Sequence, residues 1–527
     1  MNEKGDQIMK KIRFFLVPVL AVTIIFTGCS QTASTQDNQT EAFEGAVKIA
    51  LSDDEITVNG KAVATDSTEA VYVGADIVYY EEGIDETYGE GSEEDSHSIE
   101  EAAGHTVITI TQPGTYEVSG KISSGQIAVD LGEDSKEDSE AVVNLILNNA
   151  EINCSVASSI VVFNAYECGS DKEEDASPDV NTENAGFNLI LAKDSENVIN
   201  GSYVAKIYKD GTTKEDIEND EAKKKYKFDA AIDSLISFNI ESEENGKLIV
   251  NAENEGISSA LHMTINGGEI TINSSDDAIN TSEDNISVLT INGGTIICDS
   301  GFGDEGDGID SNGYIVINDG YVIACANGKS QDSGVDSDKG IYINGGTVLA
   351  SGNMYDEVSS DSKQLFSVFN FAQTVQENEL IMITDEKEQP ITAFSAVNTY
   401  STVVYSQPEL SEGTYHLYKV SSVTGDLNGS IYTNISDYQN EMQLEGGSGF
   451  MMGGPGMGGG RAQMPDGEKP EKPDGDVPAM ADGKRPEMNK EGKLHGEKGI
   501  ENGEMEVSKD FVLSKDSYQF SGISEVK

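Results

Sequence analysis

Ile265-Asn266-Gly267-Gly268, Ile291-Asn292-Gly293-Gly294, Ile317-Asn318-Asp319-Gly320 and Ile343-Asn344-Gly345-Gly346 follow one another at intervals of 26 residues. A fixed period of this length marks a solenoid or an array. Two further pieces recur between these anchors. A short β-type run follows each one: Glu269 to Ile272, Thr295 to Ile297, Tyr321 to Ile323 and Thr347 to Leu349. An acidic turn comes next, Asp277-Ala278-Ile279-Asn280, then Asp307-Gly308-Ile309-Asp310, then Ser333-Gly334-Val335-Asp336, with Asp229 to Asp233 a candidate earlier copy.

Glycine in every copy, paired in three of the four, argues against a helical repeat, because each costs a helix interior about 1 kcal/mol. Short β-branched runs set between Gly, Asn and Asp read as strands. Several strands and turns per unit, stacked on the next unit, give a coil of parallel strands, a parallel β-helix, with ~4.8 Å between successive rungs. Asn266, Asn292, Asn318 and Asn344 share one phase, so in-register coils would stack their amides and let them hydrogen-bond along the stack. The glycines that follow permit positive φ at the corner.

The N-terminus reads as a targeting segment: Met9 to Arg13 is basic, Phe14 to Phe26 is apolar but too short to span a membrane, and Thr27-Gly28-Cys29 follows. Small residues before Cys29 resemble a bacterial lipobox, although Phe26 stands where Leu is usual. The resemblance implies cleavage before Cys29, lipidation of its sulfur and a location on the extracellular face of the cell membrane; an ordinary signal peptide is the alternative. The net charge of −60 excludes nucleic-acid binding and suits an extracellular protein or one that collects divalent cations. Of the four later cysteines, Cys298 and Cys325 lie 27 residues apart, one off the repeat, and so point to opposite faces of their strands. A disulfide between them is not expected. Cys154 and Cys168 are placed as core thiols, although a bond between them stays open.

The chain divides into a signal segment at 1–29, a polar tether at 30–45, coils at 46–372 and a small antiparallel β cap at 373–440. A Gly/Met/Pro and charged segment follows at 441–505, too poor in apolar residues to bury a core, then returning strands at 506–527. A cap is needed because the last coil of a solenoid exposes a strand edge. Tyr80 to Ser98 reads as an acidic surface excursion, and Tyr203 to Lys227 as helical.

Gly114 to Gly120, Gly125 to Asp130, Leu145 to Ile152, Ser158 to Val161, Asn188 to Leu191 and Asn197 to Gly201 precede the regular coils in a specific order. In that order the chain resembles the carbohydrate-binding domain-containing proteins typified by a clostridial cell-surface protein that binds cellulose and pectin. The resemblance spans roughly Ala46 to Tyr438. It implies an all-β fold, a right-handed parallel β-helix akin to polysaccharide lyases, with bound calcium and carbohydrate binding without demonstrated cleavage.

The residues themselves nominate two sets of candidates. Stacking would bring together Asp276, Asp277, Asp304, Asp307, Asp310, Asp332 and Asp336, and clustered carboxylates are unfavourable unless a cation or protons intervene. Carboxylate and carbonyl oxygens are the ligands Ca²⁺ prefers, though the spacing fits no regular calcium loop. Tyr321 shares the phase of Glu269, Thr295 and Thr347, positions too polar for a core, and so is placed facing outward. With Tyr342 and Lys339 it forms the candidate carbohydrate contact. No Trp occurs, which excludes a flat tryptophan strip for crystalline cellulose.

Three functions fit: a calcium-assisted polysaccharide-binding lipoprotein without catalysis, a calcium-dependent pectate-lyase-like enzyme, or an adhesin or spacer without a glycan ligand. A lyase needs a strong base beside its calcium. No Arg occurs between Arg13 and Arg461, and Lys329 and Lys339 are the only Lys between Ile265 and Gly352. That favours the first reading.

Overall fold

The computed structural model describes residues 45–449 and 507–526. The signal segment, Cys29, nearly all of the tether and residues 450–506 lie outside them. The described chain is all-β, with two short helices, Ile99–Ala103 and Lys214–Glu218.

Three stacks of parallel strands are visited in turn. The first ends with Phe238–Ser242, His262–Ile265, Val288–Ile291, Tyr314–Ile317 and Gly340–Ile343. The second runs through Glu196–Gly201, Lys247–Ala252, Glu269–Ser274, Thr295–Asp299 and Tyr321–Cys325 to Thr347–Gly352. The third runs from Thr106–Ile110 through Ala230–Ser234, Glu255–Ser259, Ile279–Thr281 and Ile309–Ser311 to Val335–Ser337.

Register explains the period. Ile240, Ile265, Ile291, Ile317 and Ile343 are direct partners down the first stack, and all are fully buried. Ile257, Ile279, Ile309 and Val335 do the same in the third. Each strand thus lays an aliphatic side chain on its like in the next rung, and alternation sends its neighbours outward. One residue past the isoleucine, the Asn292 amide donates to Asn266 Oδ1 at 2.8 Å, and Asn318 and Asn344 each donate to the preceding Asn at 2.9 Å. The corner then requires glycine: Gly294 has φ +93°, and a Cβ there would lie 2.7 Å from the Gly268 carbonyl oxygen.

After Gly352 the pairing turns mostly antiparallel, with Phe366–Val375 and Gln519–Glu525 a parallel exception. Tyr400–Ser406 lies against both Thr347–Gly352 and Phe366–Val375, which covers the last parallel strand of the second stack. Phe511–Leu513 pairs with Gly413–Val420, and Gln519–Glu525 joins Phe366–Val375 and Met442–Ser448. A second core gathers Phe369, Phe394, Tyr400, Tyr405, Phe511 and Phe520.

Two stretches differ from the sequence reading. Tyr203 to Lys227 is a hairpin, Val204–Tyr208 against Lys224–Phe228, with only Lys214–Glu218 helical at its tip. Its mixed Lys and Glu suggested a helix, but Val204, Ile207 and Phe228 are buried in a small satellite core. That core includes Tyr80, which holds one end of the acidic surface excursion. Met442–Ser448 is a strand, because Leu444 is buried against the cap; the low-complexity stretch therefore begins later than residue 441. The four described cysteines are unpaired, and Cys298 sits opposite Ala324 while Cys325 sits opposite Asp299.

Candidate functional site

The acidic turns lead into the strands of the third stack, so register decides which carboxylates meet. Asp277 and Asp307 each lie two residues before a buried isoleucine of the stack, and the residues one past Ile279, Ile309 and Val335, namely Asn280, Asp310 and Asp336, are direct partners down it. Two parallel rows of side-chain oxygens result.

The first row is tied to the backbone. The Asp307 N–H donates to Asp277 Oδ1 at 2.7 Å, and the Ser333 N–H donates to Asp307 Oδ1 at 2.6 Å. One oxygen of each carboxylate is used this way. In the second row, Asp310 and Asp336 approach Asp307 until one oxygen of each lies within 4.8 Å of the others. Asp332 flanks them, accepting from the Gly306 N–H at 2.7 Å and from the Ser330 hydroxyl. Asp276 adjoins the rows, whereas Asp304 is exposed on the outer turn.

Charge is crowded here. Burial, then Asp276 and Asp310, push the Asp277 carboxyl well above its ordinary range. Burial, then Asp277 and Asp336, do the same to Asp307. Burial raises Asp310 to about 6, against a lowering hydrogen bond from the Ser311 N–H, and raises Asp336 to about 7, with neighbouring carboxylates adding to both. Asp276 rises to about 6. Among the described residues no lysine pairs with this group; Lys227, 2.6 Å from Asp229, lies at its far end.

The sequence reading missed three members. Glu255 precedes Asp277 in the first row and is 6% exposed, with its Oε2 unpartnered. Asn280, 9% exposed, donates to Glu255 Oε1 at 3.0 Å and leaves its own Oδ1 unpartnered. Asp356 closes the row beyond Asp336, accepting from the Ser337 N–H at 3.1 Å. Two orphaned buried acceptors among clustered carboxylates form an all-oxygen donor set, which fits a hard divalent cation. The missed signal was Glu255-Gly256-Ile257-Ser258, a copy of the acidic turn with Glu in place of Asp.

The carbohydrate candidates are not brought together into one platform. Tyr321 is half-buried beneath the cap, and its hydroxyl donates to the Asn428 carbonyl at 3.2 Å. Its outward position is occupied by the tip of the hairpin Ser422–Asn428 and Ile431–Gln439. Tyr342 lies on the first stack, half-buried, with its ring 6.4 Å from that of Tyr314. Lys339 is exposed at the start of the same strand. His262 is 3% exposed, its ring lies against Gly169, and burial lowers its pKa to about 4. It sits in the first stack, away from the acidic rows.

A family model described as "Carbohydrate-binding domain-containing protein" matches residues 103–368, which takes in the third stack and both acidic rows. The chain belongs to that family. Carbohydrate is therefore the partner class of this family, and the parallel stacks are the part of the chain that carries the family pattern. A solved structure, "Structure of the polysaccharide lyase-like protein from C. thermocellum, Gadolinium derivative", is similar at 21% identity, over 57% of this chain and 90% of that one, with a TM-score of 0.33. No curated protein matches the chain.

Proposed function

We infer that this protein is a non-catalytic, cell-surface polysaccharide-binding lipoprotein, and that its acidic rows hold calcium. The observation that carries the calcium assignment is the Asp307, Asp310 and Asp336 group, whose carboxylate oxygens lie within 4.8 Å of one another, continued in the preceding rungs by Asp277 and the orphaned acceptors Glu255 Oε2 and Asn280 Oδ1. The cation would neutralise carboxylates that otherwise have to share protons. On this reading the three stacks are the walls of a right-handed parallel β-helix, and calcium clamps successive coils along one wall.

Absence of turnover is supported by the surroundings of the rows. The candidate bases named from sequence are Lys329 and Lys339, both exposed, and His262, which burial keeps neutral. The plant-wall class of glycan, cellulose-like or pectin-like, rests on the family resemblance. A pectate-type polymer would need calcium to bridge its carboxylates to an anionic protein. A glycan array probed with and without Ca²⁺ is expected to show polysaccharide retention; no retained glycan in either condition contradicts the binding function and favours a spacer.

The lipid anchor rests on the Gly28-Cys29 junction behind an apolar run. Mass spectrometry of the mature protein is expected to find a diacylglyceryl group on Cys29. An unmodified or internal Cys29 contradicts the anchor and leaves the glycan reading standing.

A further inference from the structure

A second column of amides runs along the second stack, away from the anchor column. Asn153, Asn200, Asn251 and Asn273 are direct partners in successive rungs. Asn200 donates to Asn153, Asn251 donates to Asn200 Oδ1 at 2.7 Å, and Asn273 donates to Asn251 Oδ1 at 2.9 Å. Four rungs at the usual inter-strand spacing span ~14 Å.

The residues one further along are Cys154, Gly201, Ala252 and Ser274. All are small, so the column borders a groove of 410 Å³ instead of a flat sheet. The groove ends at Phe302, which is 53% exposed. Its backbone is pinned there, because the Phe302 N–H donates to the Ser274 carbonyl and the Gly303 N–H to the Ser275 carbonyl at 2.8 Å. An apolar ring held in solvent beside this groove is otherwise unexplained by packing.

Each amide spends one N–H, Asn153 on the Ile122 carbonyl and the others on the preceding amide, and Asn153, Asn200 and Asn251 each accept once through Oδ1. One N–H and at least one lone pair per rung remain. A repeating donor–acceptor pair matches hydroxyl groups, which both donate and accept. The exposed ring offers a face for the C–H side of a sugar. The column stops because Asp299 follows Asn273 in register and has no N–H to give. The groove lining carries Glu253 and no lysine or arginine.

We propose that this groove binds an extended, neutral, hydroxyl-rich polysaccharide chain, with the Asn153–Asn200–Asn251–Asn273 amides reading its hydroxyls and Phe302 stacking on one ring. The assignment rests on the carbohydrate-binding function inferred above and specifies its ligand as uncharged. A uronate polymer would meet Glu253 and Asp299 without a compensating cation in the groove.

The test is affinity electrophoresis of the intact protein, with Ca²⁺ present throughout, in gels of a soluble neutral β-glucan and of polygalacturonate. Wild-type protein is expected to be retarded more by the neutral glucan. Phe302→Ala and Asn273→Leu are each expected to bind it roughly tenfold more weakly, with unchanged melting. Should Asn273→Leu lower the melting temperature, Phe302→Ala decides, since that ring is mostly in solvent. Wild-type affinity in Phe302→Ala overturns the groove while leaving carbohydrate binding intact. Stronger retardation by polygalacturonate overturns the neutral ligand. No retardation in any glycan gel removes the carbohydrate function on which the proposal rests.

Discussion

Calcium added to the stripped protein at pH 7 is expected to stabilise it by about 2.7 kcal/mol at a hundredfold excess over the dissociation constant, and this gain is expected to fade as the pH falls toward 4. The sign follows from the acidic rows. Asp310 and Asp336 have folded-state pKa values raised to about 6 and about 7, against roughly 3.9 for an unfolded aspartate. Without the cation, the folded state binds more protons than the unfolded state between these limits. Stability of the stripped protein therefore falls as pH rises through about 4 to 7. Calcium favours the ionised carboxylates and removes that fall, so the two curves diverge upward through the same window. Thermal melting at several pH values, with Ca²⁺ and with chelator, reads this directly. Asp310→Asn is expected to raise the stability of the stripped protein at pH 7, by relieving repulsion, and to abolish most of the calcium gain. A calcium effect equal at pH 4 and pH 7, or undiminished in Asp307→Ala/Asp310→Ala, contradicts these ligands.

The second large effect concerns the rungs. Ile291→Ala is expected to cost about 2–5 kcal/mol, because a fully buried side chain between Ile265 and Ile317 leaves a cavity the neighbouring rungs cannot fill. Gly294→Ala is expected to cost about 1–3 kcal/mol through its positive φ, and more where its Cβ strikes the Gly268 carbonyl. Asn292→Ala should cost about 1 kcal/mol, since its amide is exposed. Chemical denaturation of the three variants checks the order. Equal costs for Ile291→Ala and Asn292→Ala would contradict the in-register stacking of the isoleucines.

The anchor repeat exposed this architecture because its insertions are absent. From Ile265 to Gly346 each coil has the same length, so isoleucine, asparagine and glycine fall into columns that can be read by counting. The same logic was hidden upstream. Asn153, Asn200, Asn251 and Asn273 occupy one column, yet their intervals are 47, 51 and 22 residues, because excursions of different length leave the stack between them. Glu255 was hidden similarly: its turn lies 22 residues before Asp277, outside the 26-residue period. Composition misled at Tyr203 to Lys227, where charge masked a hairpin whose Val204 and Phe228 face a satellite core. Tyr321 followed its phase correctly to the outer face, but the residue that covers it, Asn428, comes from the cap more than a hundred positions away. Periodicity within a stack carries no information about what a later segment lays over it.

The central claim is that the protein holds polysaccharide without cutting it. The most direct measurement incubates the calcium-loaded protein with neutral β-glucan and with polygalacturonate, recovers the bound fraction by pull-down, and follows reducing ends and the absorbance of unsaturated product in the same tubes. Retention with no product over prolonged incubation is the expected result. Accumulating unsaturated product that disappears in Lys339→Ala or Lys329→Ala would contradict it and identify a lyase.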